Sequence, residues 1–197
     1  WATVGLLFFD DKDAMLAALP ALRPHYDNPT LSPYSEPALA AVGANERADP
    51  HHFGLSMIRD IMTVTGQEIA THTFGHYYCL EPGADAASFR ADLEAAMAAA
   101  APLGVHPRSI VFPRNQVAPF ALQACRDAGI TVYRGTERGP MYRAAGAAGE
   151  GLPKRALRLA DAYLNLSGSN GTRPVAHEGM VNVASSRFLR PFSPRLA

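Results

Sequence analysis

Two histidines stand four residues apart in Gln67-Glu68-Ile69-Ala70-Thr71-His72-Thr73-Phe74-Gly75-His76-Tyr77-Tyr78-Cys79, directly after a short apolar run. Imidazole is a common ligand of zinc and related divalent ions, so the chemistry that His72 and His76 invite is metal binding. On a helix, residues i and i+4 share a face one turn apart, which would bring both rings to one ion. The same spacing also arises for two structural histidines at a helix start. Position favours the metal, because His72 follows a strand end, where α/β folds gather reactive groups.

Other residue types with chemical capacity are scattered. Arg114 follows an apolar run closed by Pro113 and reads either as a site residue or as a surface arginine. His51 and His52 follow Pro50, and the simpler reading makes them the first residues of a helix. Trp1, Tyr77 and Tyr78 suit a sugar-stacking platform, since pyranose rings lie well on aromatic faces, and suit a core equally. No serine nucleophile elbow or glycine-rich phosphate loop is present, which disfavours a serine hydrolase and a nucleotide enzyme.

The elements that would position these residues alternate. Residues 1–9 form a continuous apolar run, as expected of a strand covered on both faces. Asp10-Asp11-Lys12-Asp13 caps a helix over 13–22, disturbed by Pro20. Residues 23–50 carry five prolines without a period and predict a long excursion packed over something. A helix over 51–65, a strand over 68–71 and an alanine-rich helix over 85–101 follow. Then come a strand over 109–112, a helix over 119–128 and a strand over 130–133. A glycine-rich loop spans 135–151, a helix 153–166, a turn cluster 167–173 and a last strand 179–183. Such alternation predicts one α/β domain of parallel βα units over 1–197.

Composition narrows the partners. Eighteen basic and eighteen acidic side chains balance, leaving no electrostatic footprint for nucleic acid or an anionic membrane. A neutral small molecule or polysaccharide is the easier partner. No apolar run has the length of a membrane span. Cys79 and Cys125 are far apart, read as buried small hydrophobes and favour a reducing, cytoplasmic setting. Oligomeric state is not legible.

His72-Thr73-Phe74-Gly75-His76 resembles the His-Ser/Thr-x-x-His motif of the polysaccharide deacetylases of the NodB-homology type, carbohydrate esterase family 4. The resemblance runs from Trp1 to about Leu189 and is carried also by Trp1-Ala2-Thr3-Val4-Gly5, by 109–117 and by 182–191. It implies a distorted (β/α) barrel with its metal site at the carboxyl ends of the strands. The implied activity is metal-dependent removal of N-acetyl or O-acetyl groups from a polysaccharide or sugar intermediate. A metal polarises the carbonyl and activates water, while a base and an acid move the protons. Zinc is the implied metal, with cobalt, nickel or iron as alternatives. His72 and His76 are the implied ligands, and Thr73, Tyr77, Pro113 and Asn115 the implied substrate contacts.

Two departures accompany the match. The third motif, Arg-x-Pro-Tyr-Gly, is met by Val111-Phe112-Pro113-Arg114-Asn115, so Val111 replaces the arginine and Arg114 the tyrosine. The Arg114 N–H would then be the oxyanion donor. Phe8-Phe9-Asp10-Asp11 looks like the first family motif, yet Trp1–Gly5 matches the strand that follows that motif, so a helix cap is the better reading. The chain is therefore expected to be a piece of a longer protein, with the aspartate ligand, the base and the acid histidine outside it. His177 does not match the last motif and reads as a loop residue. The alternatives are a catalytically silent carbohydrate-binding module and a hydrolase of another acyl or C–N bond.

Overall fold

The computed structural model describes residues 1–136, 139, 141–146, 149–168, 173–177 and 179–185. Six strands form one sheet in the order β1-β2-β3-β4-β6-β5, with β1 Ala2–Thr3, β2 Ala70–Thr71, β3 Ser109–Val111, β4 Val132–Arg134, β5 Val175–His177 and β6 Met180–Asn182. All neighbours are parallel except β5 and β6, which form a hairpin. Mixed α/β architecture with a mostly parallel sheet is therefore as expected. The described strands run as an open row, and no barrel closure is seen among them.

Helices α1 Lys12–Ala17, α2 Glu36–Ala41 and α3 Leu55–Met62 lie between β1 and β2, α4 Ala86–Ala100 between β2 and β3, α5 Pro119–Asp127 between β3 and β4, and α6 Leu152–Leu164 after β4. Helix α4 is the spine. Asp85 caps it by accepting from the Ala87 and Ser88 N–H groups at 2.8 and 2.9 Å, which satisfies donors that a helix start leaves open. Phe89, Leu93, Ala96 and Ala100 bury one face. Burying the first two contributes about 2–3 kcal/mol each. Pro102 and the left-handed Gly104 then stop it.

Phe89 and Leu93 join Ile110 and Phe112 of the β3 segment and Ala121, Ala124 and Cys125 of α5 in the main core. Side chains alternate along a strand, so Val111, between Ile110 and Phe112, points to the face away from α4 and α5.

Several expectations need correction. Residues 1–9 do not form one buried strand. After two strand residues the chain turns into a 3-10 helix over Gly5–Phe8, and Trp1 is 62% exposed. Gly5 sets that turn, because a β-carbon there would lie 2.6 Å from Phe74 Cδ2. Residues 175–177 form a strand, so His177 is paired with Met180 and is not in a loop. Its partner strand is stabilised by the hairpin, which a three-residue run could not signal alone. The α1 and α3 helices are also shorter than their patterns suggested. His51 and His52 precede α3 and are exposed. The family-like segment 186–191, and parts of the 135–151 loop and 167–173 turn, lie outside the described residues.

Two local expectations are met. Asp11 caps α1, its Oδ1 accepting the Ala14 N–H at 2.8 Å. The proline-rich excursion is packed: Tyr26 and Tyr34 from it are buried against the segment that carries the histidines.

Candidate metal centre

His72 is the first residue past β2, and its backbone N–H still pairs with the Thr3 carbonyl at 2.8 Å. From there the chain does not become helical. Residues 72–79 form a loop in which Thr73 and His76 have φ of 66° and 61°. The i, i+4 helical geometry is thus replaced by two left-handed residues that fold the loop on itself. The outcome for the imidazoles is nonetheless a meeting. Their ring centroids are 4.7 Å apart with planes at 68°.

The neighbouring strand has the same feature. Arg114 and Asn115, just past β3, have φ of 51° and 53°. Four of the five described non-glycine residues at positive φ therefore lie at the carboxyl ends of two adjacent parallel strands. Each such residue costs on the order of 1–3 kcal/mol and persists only where its surroundings over-determine it.

Asp92 supplies that determination for the histidine loop. It lies on the buried stripe of α4, fully enclosed, and accepts from the Phe74 and Gly75 N–H groups at 2.6 and 3.3 Å, from the Tyr34 hydroxyl and from Thr73. Burial raises its pKa to about 6 despite donors that favour the charge. The Thr73 hydroxyl also accepts the Tyr77 N–H at 2.7 Å. Tyr77 is buried, its hydroxyl shared between Ser88 and the backbone of Asp85. Thr73 and Tyr77, both expected at the substrate, thus sit beneath the loop as its supports.

On the accessible side, Tyr78 meets the His76 ring edge-on at 5.1 Å, and the Arg114 guanidinium lies 4.3 Å over the Tyr78 ring. Of the three aromatics considered for a stacking platform, Tyr78 alone is beside the histidines. Trp1 lies at the amino end of β1, the opposite end of the sheet, with its indole N–H on Gln67 at 2.7 Å. Pro113 is buried, and Asn115 is half-buried with its N–H on the Phe112 carbonyl at 2.8 Å. The Arg114 N–H finds no acceptor among the described residues. His52 is engaged elsewhere, with Nδ1 2.7 Å from Asp49. It borders an apolar cavity of about 90 Å³ that also touches Leu6, Met15 and Val42 and none of the residues around His72.

The donor set fits two positions of a metal such as zinc. His72 Nδ1 lies 2.5 Å from the Val111 carbonyl, which can only accept, so Nδ1 carries the proton and Nε2 keeps its lone pair. A backbone carbonyl behind the ring is the usual way of orienting a ligating histidine. Burial, reinforced by the Arg134 charge, holds the His72 pKa below its ordinary value. Burial, then the charges of His72 and Arg114, bring His76 down to about 4. Both rings are therefore neutral at pH 7 and able to donate to a cation. No group of three or more His, Cys, Asp or Glu residues placed to share an ion occurs among the described residues.

Sequence reasoning passed over Asp92, Tyr34, Gln116 and Arg134. Asp92 had a signal: a carboxylate at i+3 of the Phe89–Leu93–Ala96 stripe must find buried donors. Gln116 had none. It is buried, accepts the Leu80 N–H at 3.0 Å and donates to Glu81 at 2.9 Å, tying the β2 and β3 loops together. Among the described residues no helix is long and apolar enough to cross a membrane. No protein-family model, curated protein or solved structure shows significant similarity to this chain.

Proposed function

We propose that the chain belongs to a metal-dependent hydrolase that removes N-acetyl or O-acetyl groups from a polysaccharide or sugar intermediate, built on a distorted (β/α) barrel of the NodB-homology type. The observation that carries this reading is the pair of neutral histidines with facing rings at the carboxyl end of a parallel sheet, one of them oriented by a backbone carbonyl. Strand order supports the barrel. From β1 to β4 each strand is laid beside its predecessor without the reversal that makes the ligand crevice of a doubly wound sheet.

In this reading His72 Nε2 and His76 hold a divalent metal, zinc first among those suited to imidazole. When bound, it supplies Lewis acidity toward the acetyl carbonyl. Other groups of the chain take supporting roles, while the base and the acid that move the protons are expected outside it. The Arg114 N–H, without an acceptor among the described residues and fixed by the left-handed turn after Pro113, donates to the oxyanion that develops as the carbonyl is attacked. Tyr78 gives the sugar ring a face beside His76, and the Asp92 and Tyr34 network keeps the loop from relaxing. Val111 contributes its carbonyl to His72 where the resembled family has an arginine side chain. That substitution favours, as a second reading, a catalytically silent carbohydrate-binding module on the same fold.

The test measures zinc content and acetate release on one preparation of the full-length protein, in wild type, His72→Ala and His76→Ala. Stoichiometric metal and acetate release from an N-acetylated oligosaccharide, both lost in the variants, are expected. Metal without turnover on several acetylated glycans selects the silent module. Absence of metal in wild type sinks the site.

A further inference from the structure

The balanced overall charge conceals a local imbalance at the site. Thr71 pairs with Ile110 and Val111 with Arg134, so His72, Val111 and Arg134 occupy one row across three neighbouring parallel strands. Residues in such a row project to the same face, here the face away from α4 and α5. Adjacent strands are about 4.8 Å apart, which puts the long Arg134 side chain within reach of the histidine across the small Val111. Arg134 is exposed, and its side chain has no ion pair or hydrogen bond among the described residues. On the other flank Arg114, its side chain 48% exposed, lies over Tyr78. The buried Glu81 carboxylate lies 3.8 Å from it as an ion-pair partner, leaving the exposed side of the guanidinium open to a ligand. An arc therefore runs from Arg134 through His72, His76 and Tyr78 to Arg114, with a guanidinium at each end and neutral rings between.

A neutral sugar lying in this arc can answer the two cations only with hydroxyl and carbonyl oxygens, which accept hydrogen bonds and bring no compensating charge. An oxyanion on the ligand adds that charge, and a guanidinium offers a planar fork that matches carboxylate or phosphate oxygens. We propose that the Arg134 and Arg114 guanidiniums, one at each end of the arc, each offer an anion contact, Arg134 the principal one, so that the acetylated sugar taken by this site carries a carboxylate or a phosphate close to the acetyl group. The proposal rests on the deacetylase reading for the acetyl group alone; the anion preference follows from the two arginines.

The experiment is equilibrium binding by calorimetry to the full-length protein with three probes: an N-acetylglucosamine–glucuronate disaccharide, N-acetylglucosamine 6-phosphate and neutral diacetylchitobiose. At low salt at least one anionic probe is expected to bind about tenfold or more tighter than diacetylchitobiose. The preference should shrink to about twofold in Arg134→Gln, and be weakened in Arg114→Gln and in about 0.5 M salt. The tighter of the two anionic probes identifies the source as a uronic acid or a phosphorylated sugar. Equal affinity for all three probes overturns the proposal, as does a preference unchanged in Arg134→Gln or binding of none of them. Acetate release is scored separately: binding preference without release removes the deacetylase reading and leaves the anion subsite standing.

Discussion

His76 and Asp92 lie on either side of the loop 72–79 and carry opposite pH sensitivities. The folded pKa of His76, about 4, is below its ordinary 6.5, so the unfolded chain binds more protons between those values. Its contribution is fully present above pH 6.5 and is lost as pH falls toward 4. Asp92, raised from 3.8 to about 6, does the reverse: the folded state takes up the extra proton, and stability rises as pH falls through 6 toward 3.8. At 1.36 kcal/mol per unit the Asp92 shift is worth roughly 3 kcal/mol and that of the partly exposed His76 less after solvent screening, so the two oppose each other over one window. Separating them is a matter of one substitution each. In metal-free protein, Asp92→Asn should lose about 1–2 kcal/mol of its stability between pH 6.5 and 4.5, while His76→Gln should gain stability over that range. Urea midpoints at the two pH values measure this, and parallel behaviour of the two variants would refute the assignment of either group.

At the level of elements, the site is two loops that the Gln116 amide ties together from beneath, beside the His72–Val111 and Arg114–Tyr78 contacts. Gln116 accepts from Leu80 N–H and donates to Glu81 and to the Ala145 carbonyl, at 3.0, 2.9 and 3.3 Å. Gln116→Met keeps the volume and removes every one of these bonds, leaving the Leu80 N–H without its acceptor. Such losses cost about 1–3 kcal/mol. Because the loops would then part, zinc affinity is expected to fall with stability, by about tenfold, whereas a residue that only packs would lower stability alone. Metal binding unchanged in a destabilised Gln116→Met would place the amide outside the site's support. This tie also marks the limit of what the sequence could disclose. The cap at Asp11, the α4 helix from Asp85 and the β2 and β3 segments follow from local pattern and capping chemistry, and each was legible. The histidine pair was legible by residue type, but its geometry was not. Left-handed Thr73 and His76 are against local preference, imposed by Asp92, which binds Phe74 and Gly75 from eighteen and seventeen residues away, and no local rule anticipates them. Arg134 was hidden for the same reason, since its place beside His72 depends on strand order and register.

Across the whole molecule, support for the site is uneven. The histidines rest on the part where α4 packs against α5 and the Gly5–Phe8 helix, with Phe89, Leu93, Ile110 and Phe112 at most 1% exposed. Helix α6 is held differently. Its first turn has no side-chain cap, and Leu152, Leu157, Leu159 and Leu164 are 41–79% exposed. Its attachments are polar: Lys154 and Arg158 to Glu150 at 2.8 and 2.5 Å, and Tyr142 and Ser167 to the buried Asp161. Few buried apolar contacts among the described residues mean a low free energy of local opening, and partly exposed ion pairs contribute little once screened. Amide exchange in α6 is therefore expected to be faster than in α4 by about two orders of magnitude or more. In about 1 M salt, where the Debye length shrinks to roughly 3 Å, α6 should exchange faster still while α4 is unchanged. Hydrogen exchange read by mass spectrometry on peptides from each helix decides it. Equal protection in α4 and α6 would mean that the apolar face of α6 is covered in solution and that the molecule opens as one unit. The expected contrast would leave the loop of His72 and His76 in the slow-opening half, where a strained geometry can be maintained while other elements open.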